Sequence, residues 1–83
     1  MIEVALPVEA WQDVEPDTQA LLDEWLVERG DRVTAGQVLA KVVLVKANLE
    51  LAAPADGIVE QILVPVEETF KRGQPLVLLR DTA

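Results

Sequence analysis

The chain has 83 residues, a length that fits one small domain over residues 1–83, and 51% of them are apolar with only three aromatics, Trp11, Trp25 and Phe70. It contains no Cys, His, Ser or Tyr, which excludes disulfides, Ser/His and Cys/His nucleophilic sites and imidazole or thiolate metal sites. Its carboxylates leave a two-carboxylate hydrolase open by composition, but a domain this small has little room for the cleft, so neither a catalytic residue nor a metal ligand set is expected. The formal net charge of −8, with its seven Lys and Arg residues scattered, argues against nucleic acid and against an anionic membrane surface, and favours a partner with a basic docking face.

No apolar run approaches the roughly 20 residues of a membrane span, and the start carries no signal-peptide pattern. A cytoplasmic location is expected. A chain this small buries only about 60% of the surface its unfolded form exposes. With so few aromatics, its core must be built from Val, Leu, Ile and Ala.

In chain order, Ile2 to Leu6 reads as a short strand ended by Pro7. The stretch Val8 to Gln19 is polar, apart from Trp11 and a few small apolar residues, and reads as a loop. Asp17 to Gly30 looks helical by local rules. Leu21, Leu22, Trp25 and Leu26 have i, i+3, i+4 spacing, Asp17 or Thr18 is a capping residue, and Gly30 is a stop. Gly30-Asp31-Arg32-Val33-Thr34-Ala35-Gly36-Gln37-Val38-Leu39 then returns later as Glu67-Glu68-Thr69-Phe70-Lys71-Arg72-Gly73-Gln74-Pro75-Leu76. The offset is 37 residues, Gly36 to Gly73, and it also matches Gln37 with Gln74, Leu39 with Leu76 and the apolar pair Val33 and Phe70. Each copy reads as a turn, an inward apolar residue, a Gly turn and a strand, which implies two similar half-sheets related by a quasi-twofold axis.

Between the two copies, Val38 to Val45 and Asn48 to Ala52 read as strands flanking Lys46, with Val43 and Val45 on one face and Leu49 and Leu51 on one face of the return strand. Pro54-Ala55-Asp56-Gly57 is a turn signal before a strand over Ile58 to Val64, and Leu76 to Leu79 closes the chain. Gly30, Gly36, Gly57 and Gly73 read as turn formers. Regularly spaced short strands with turn signals predict an all-β sandwich or flattened barrel. In that setting Lys46 is a primary amine held out at a hairpin tip, where another enzyme can acylate it. Lys41, inside a strand run, and Lys71, in the second Gly turn, are poorer candidates.

These segments resemble a known family. Trp25-Leu26-Val27-Glu28-Arg29-Gly30-Asp31-Arg32-Val33-Thr34-Ala35-Gly36-Gln37-Val38-Leu39 resembles the Trp-Leu-Val-x-x-Gly-Asp-x-Val-x-x-Gly-x-x-Leu of biotinyl/lipoyl attachment domains, and most of all the lipoyl domains of 2-oxoacid dehydrogenase complexes. Ala53-Pro54-Ala55-Asp56-Gly57-Ile58-Val59 resembles the family's Ala-Pro-x-x-Gly-x-Val, and Gly73-Gln74-Pro75-Leu76 its closing Gly-x-Pro-Leu. The resemblance implies a flattened barrel or sandwich of two antiparallel sheets with quasi-twofold symmetry, and it makes Leu21 to Glu28 a strand. It places Lys46-Ala47 at the modified lysine and the alanine that follows.

By the same resemblance, a lipoyl ligase joins lipoate to Lys46 through an amide. The arm then carries acyl groups or electrons between active sites of a 2-oxoacid dehydrogenase-like complex, while the domain itself, a monomer, makes and breaks no bonds. The first alternative is biotin attached by a biotinyl ligase, for a carboxylase or decarboxylase complex. The second is an unmodified, degenerate domain that acts only in docking. The family usually has an acid directly before the lysine and, in several systems, a Glu three positions before it; here those positions are Val45 and Val43. Val45 and Ala47 are therefore the neighbours by which a modifying enzyme would know this lysine. The Val8 to Gln19 stretch is longer than the family's usual spacing, and relatives hold this loop near the lysine. Trp11 is thus either an exposed recognition residue beside Lys46 or a ring folded back onto the sheets.

Overall fold

A computed structural model describes residues 1–12, 14–15 and 17–81. Its strands are β1 (Ile2–Val4), β2 (Ala20–Trp25), β3 (Arg32–Val33), β4 (Val38–Leu44), β5 (Ala47–Ala52), β6 (Gly57–Ile62), β7 (Thr69–Phe70) and β8 (Val77–Arg80), with one 3₁₀ turn at Val8–Trp11. They form two four-stranded antiparallel sheets, ordered β1-β8-β6-β3 and β5-β4-β2-β7. Each sheet keeps its free edges among the described residues, so the all-β expectation resolves to an open sandwich and not a closed barrel. No helix among the described residues is long and apolar enough to cross a membrane.

The repeat is a true structural symmetry. Strands β2 and β6 begin 37 residues apart, at Ala20 and Gly57, and so do β3 and β7, at Arg32 and Thr69. The Gly30 amide donates to the Val59 carbonyl at 2.8 Å, and the Glu67 amide donates to the Leu22 carbonyl at 2.7 Å. The Leu26 amide reaches the Leu39 carbonyl at 2.8 Å, and the Leu63 amide reaches the Leu76 carbonyl at 2.9 Å. Gly36 and Gly73 take the positive φ expected of them, at 87° and 78°. Gly57 has a different reason from the turn predicted for it. It lies inside β6, where a Cβ would come within 2.8 Å of the Arg80 carbonyl oxygen, so the strands meet too closely for any side chain.

The segment that reads locally as a helix is strand β2. A bulge between Leu22 and Glu24 adds one residue to its pairing with β4, and the matching bulge between Val59 and Gln61 interrupts β6 against β8. The inward positions therefore run Ala20, Leu22, Trp25 and Val27, with a gap of three at the bulge that imitates helical spacing. Trp25 packs half-buried and its indole N–H donates to the Val64 carbonyl at 2.8 Å.

Aliphatic side chains from both sheets fill the core, among them Leu22, Val33, Leu39, Val42, Leu51, Val59, Leu76 and Leu79. No charged side chain is buried there among the described residues. The two halves differ in the link that leads into β2 and into β6. Strand β1 pairs with β8 at Ile2–Leu79, as β5 pairs with β4 at Leu49–Val42. Val8 to Gln19 then leads into β2, whereas the matching link from β5 into β6 is only Ala53 to Asp56.

Candidate functional site

Strands β4 and β5 form a hairpin in strict register: Val42 with Leu49, Val43 with Asn48, and Leu44 with Ala47. Two residues remain for the turn, Val45 and Lys46. The turn thus lies one position earlier than the sequence suggests, and Ala47 joins Asn48 in β5. Val45 takes a φ of 60° and Lys46 does not take a positive φ, the pattern of a type II′ turn. That turn twists with the strands, but its first position favours glycine because a Cβ is crowded there. A β-branched residue at this φ is an outlier. Val45 is also 61% exposed, so it does not share a buried face with half-buried Val43.

Leu44 and Leu51 anchor the hairpin from beneath in the core. Lys46 is exposed and makes no hydrogen bond or ion pair among the described residues. A rigid hairpin thus presents a free amine at a fixed place, which is what an acylating enzyme requires. Lys41 lies mid-strand, flanked in register by Glu24 and Glu50, and Lys71 lies in a turn tied down by its own backbone amide donating to Gln74 Oε1 at 3.0 Å. Neither has the projection of Lys46. No cluster of acidic side chains able to hold a metal occurs among the described residues.

The long loop packs beside this tip. Trp11 is 1% exposed, so its ring is not available as an anchor for a partner. It meets Phe70 edge-to-face, with centroids 6.1 Å apart at 85°, and carries the Arg72 guanidinium 5.9 Å from its ring centroid. The ring folds back because Phe70 and the β7 turn offer it an apolar seat. Its indole N–H is left without a hydrogen-bond partner. Arg72 Nη2 donates to the Trp11 carbonyl at 3.0 Å and to the Val14 carbonyl at 3.4 Å, clasping the loop to the second Gly turn. Sequence reasoning missed Arg72, yet a signal existed: the repeat has Ala35 at the matching position, so Arg72 marks a break in symmetry.

Between loop and hairpin lies a groove of about 690 Å³, with Ala10 and Val14 on one wall, Leu44, Ala47 and Leu49 on the other, and Lys46 itself in the lining.

A family model described as "Biotin-requiring enzyme" matches residues 14–79. The chain is 37% identical over 65 residues to the dihydrolipoyllysine-residue acetyltransferase component of the pyruvate dehydrogenase complex of Zymomonas mobilis, covering 77% of this chain and 15% of that protein. It is 35% identical over 70 residues to the corresponding component of Azotobacter vinelandii, covering 84% of this chain and 11% of the relative. It is also 39% identical over 51 residues to the biotin carboxyl carrier protein of acetyl-CoA carboxylase of Streptococcus pyogenes, covering 61% of this chain and 31% of that protein. The chain therefore spans well under half the length of these relatives. Among solved structures, the lipoyl domain of the 2-oxoglutarate dehydrogenase complex from Azotobacter vinelandii superposes over the whole of both chains with a TM-score of 0.79 at 20% identity, a likeness of fold. Since the family match takes in both sheets and the Lys46 hairpin, the chain belongs to the biotin/lipoyl family.

Proposed function

We propose that this chain is one lipoyl carrier domain whose covalent cargo sits on Lys46. The observation that carries this reading is the exposed, unpartnered amine of Lys46 at the tip of a two-residue turn. The amine nitrogen attacks the activated carboxyl group of lipoate, held by a lipoyl ligase. An amide bond forms, the activating group leaves and the amine gives up its proton. The dithiolane arm then carries acyl groups or reducing equivalents between the active sites of a 2-oxoacid dehydrogenase-like complex. The domain supplies position and no catalysis. It works as a monomer in the cytoplasm, and its −8 charge suits docking on basic partner faces.

Two other readings have their own support. Biotin on Lys46 draws on the likeness to the biotin carboxyl carrier protein. A docking-only domain draws on Val43 and Val45, where the family usually has acids.

Intact mass of the protein from its native host, with fragmentation, tests all three. A lipoyl increment on Lys46 is expected. A biotinyl increment would move the protein to carboxylase chemistry, and an unmodified Lys46 in a host with competent ligases would leave only docking. Acylation also removes one positive charge, taking the net charge from −8 to −9, so the modified form focuses at a more acidic position. Lys46→Arg should keep the fold and lose the increment entirely, because the guanidinium does not form the amide.

A further inference from the structure

The two segments that cross between the sheets form a ribbon of their own. The Glu67 amide meets the Leu22 carbonyl at 2.7 Å, and the Gly30 amide meets the Val59 carbonyl at 2.8 Å. Between these ends the Trp25 indole reaches the Val64 carbonyl at 2.8 Å, and Arg29 Nε reaches the Glu60 carbonyl at 3.1 Å. Each step forward along residues 22–30 is a step back along residues 59–67, an antiparallel register that sets Leu26 opposite Leu63. Leu22, Val27, Val59 and Val64 turn into the core, so the ribbon's other face carries Leu26 and Leu63 at its centre, 45% and 37% exposed. The two leucines are also partners in the 37-residue repeat, so this face lies on the quasi-twofold axis. Glu24 and Glu28, two positions to either side of Leu26, are exposed on the same face, and their carboxylates have no hydrogen-bond or ion-pair partner among the described residues.

We propose that this face is a docking surface separate from the lysine tip, taken by a segment of a partner protein that presents an apolar ridge flanked by Lys or Arg. Charge complementarity sets the choice: bare leucines between unpaired carboxylates match an apolar ridge between bases. Arg29, the one cation in residues 22–30, is drawn aside to the Glu60 carbonyl. A second copy is the wrong occupant, since it would bring Glu24 and Glu28 against their like in a chain that already carries −8. The place also suits a lateral grip. The Leu26 amide is bonded to Leu39 near the start of β4, whereas Lys46 lies just past the end of that strand. At about 3.3 Å per residue the two sites are roughly 20 Å apart, so a partner seated on the ribbon leaves the lysine tip open to other enzymes. The surface exists whether or not Lys46 carries a cargo.

Photo-crosslinking in the native host tests it. The probe p-benzoyl-phenylalanine is incorporated at position 26, at position 63 and, as an exposed control, at position 8, and the products are mapped by mass spectrometry. Positions 26 and 63 are expected to join the same segment of one other protein, with Lys or Arg beside its apolar residues. Glu28→Lys should cut that yield by about tenfold, because it sets a base against a base, and Glu28→Asp should restore it. If Glu28→Lys alters the circular dichroism of the domain, Glu24→Lys serves in its place. Lys46→Arg should leave the yield unchanged; its loss there would overturn the separate surface and return the contact to the lysine tip. A yield no higher than at position 8, a product with a second copy or within the same polypeptide, or a captured segment without bases would each overturn the proposal. The carrier reading stands or falls apart from this, on the native-host mass at Lys46.

Discussion

Val45 bears the conformational cost of the hairpin tip. A residue with a Cβ in the left-handed region costs about 1–2 kcal/mol, and Val45 sits there at φ 60° with most of its side chain in water. Val45→Gly removes that crowding but gives the unfolded chain more freedom, which returns about 0.4–1 kcal/mol. The net expectation is a stabilisation of about 0.5–1 kcal/mol, a rise in thermal midpoint of about 2–8 °C in a domain this size. Calorimetry on the two proteins checks it; an unchanged or lower midpoint would show that Val45 is not strained. Persistence of a strained, exposed apolar residue directly before the attachment lysine suggests that something reads it. Val45→Asp restores the acid usual at this position and should raise the rate of lipoylation by a standard lipoyl ligase, measured by mass over time. An unchanged rate would remove the missing acid as an explanation for any reluctance of this lysine. Lys46 itself could be singled out from the sequence by its central place between two apolar runs. The turn geometry could not, because two-residue and longer turns share the same flanking pattern.

Among the elements, the loop Val8 to Gln19 and strand β2 were the least legible. The loop's path depends on Arg72, which lies far away in sequence and meets it only in the folded chain. Arg72→Ala deletes two charge-assisted hydrogen bonds and the guanidinium over Trp11, and should cost about 1–2 kcal/mol in urea unfolding. It should also shift tryptophan emission to longer wavelength as Trp11 gains contact with water. Emission and stability both unchanged would mean that the Phe70 contact alone holds the loop. Strand β2 misleads for a physical reason: its bulge sets the inward Leu22 and Trp25 three positions apart, so a pattern built on strict alternation fails there. Strand β6 carries the same bulge, yet its sequence reads as a strand because Ile58, Val59 and Ile62 are β-branched. The family pattern corrected β2 where periodicity could not. Trp11 was open on sequence grounds between a surface anchor and a core ring; only the neighbouring Phe70 decides it.

For the whole molecule, the 37-residue offset was the most reliable guide, since it predicted the paired half-sheets before any strand was placed. It extends to side chains. Gln37 Oε1 accepts from the Thr34 amide at 3.1 Å, and Gln74 Oε1 accepts from the Lys71 amide at 3.0 Å, one clasp built twice. Each closes its Gly turn in the same way, but one stands in a turn whose Ala35 amide donates to Asp56 Oδ1 at 2.8 Å while the other stands next to the Arg72 clasp. The protein thereby contains its own experimental control. Gln37→Ala and Gln74→Ala each remove the shared amide bond, expected at about 1 kcal/mol, and Gln37→Ala also removes a longer bond from Thr34 Oγ1 at 3.5 Å. Subtracting one loss of stability from the other cancels the shared amide bond and leaves the difference between the surroundings of the two turns, the loop on one side and the Thr34 hydroxyl on the other. A difference near zero would mean that the two halves fold as independent copies. A larger loss at Gln74 would measure how far the half bearing the loop has become specialised.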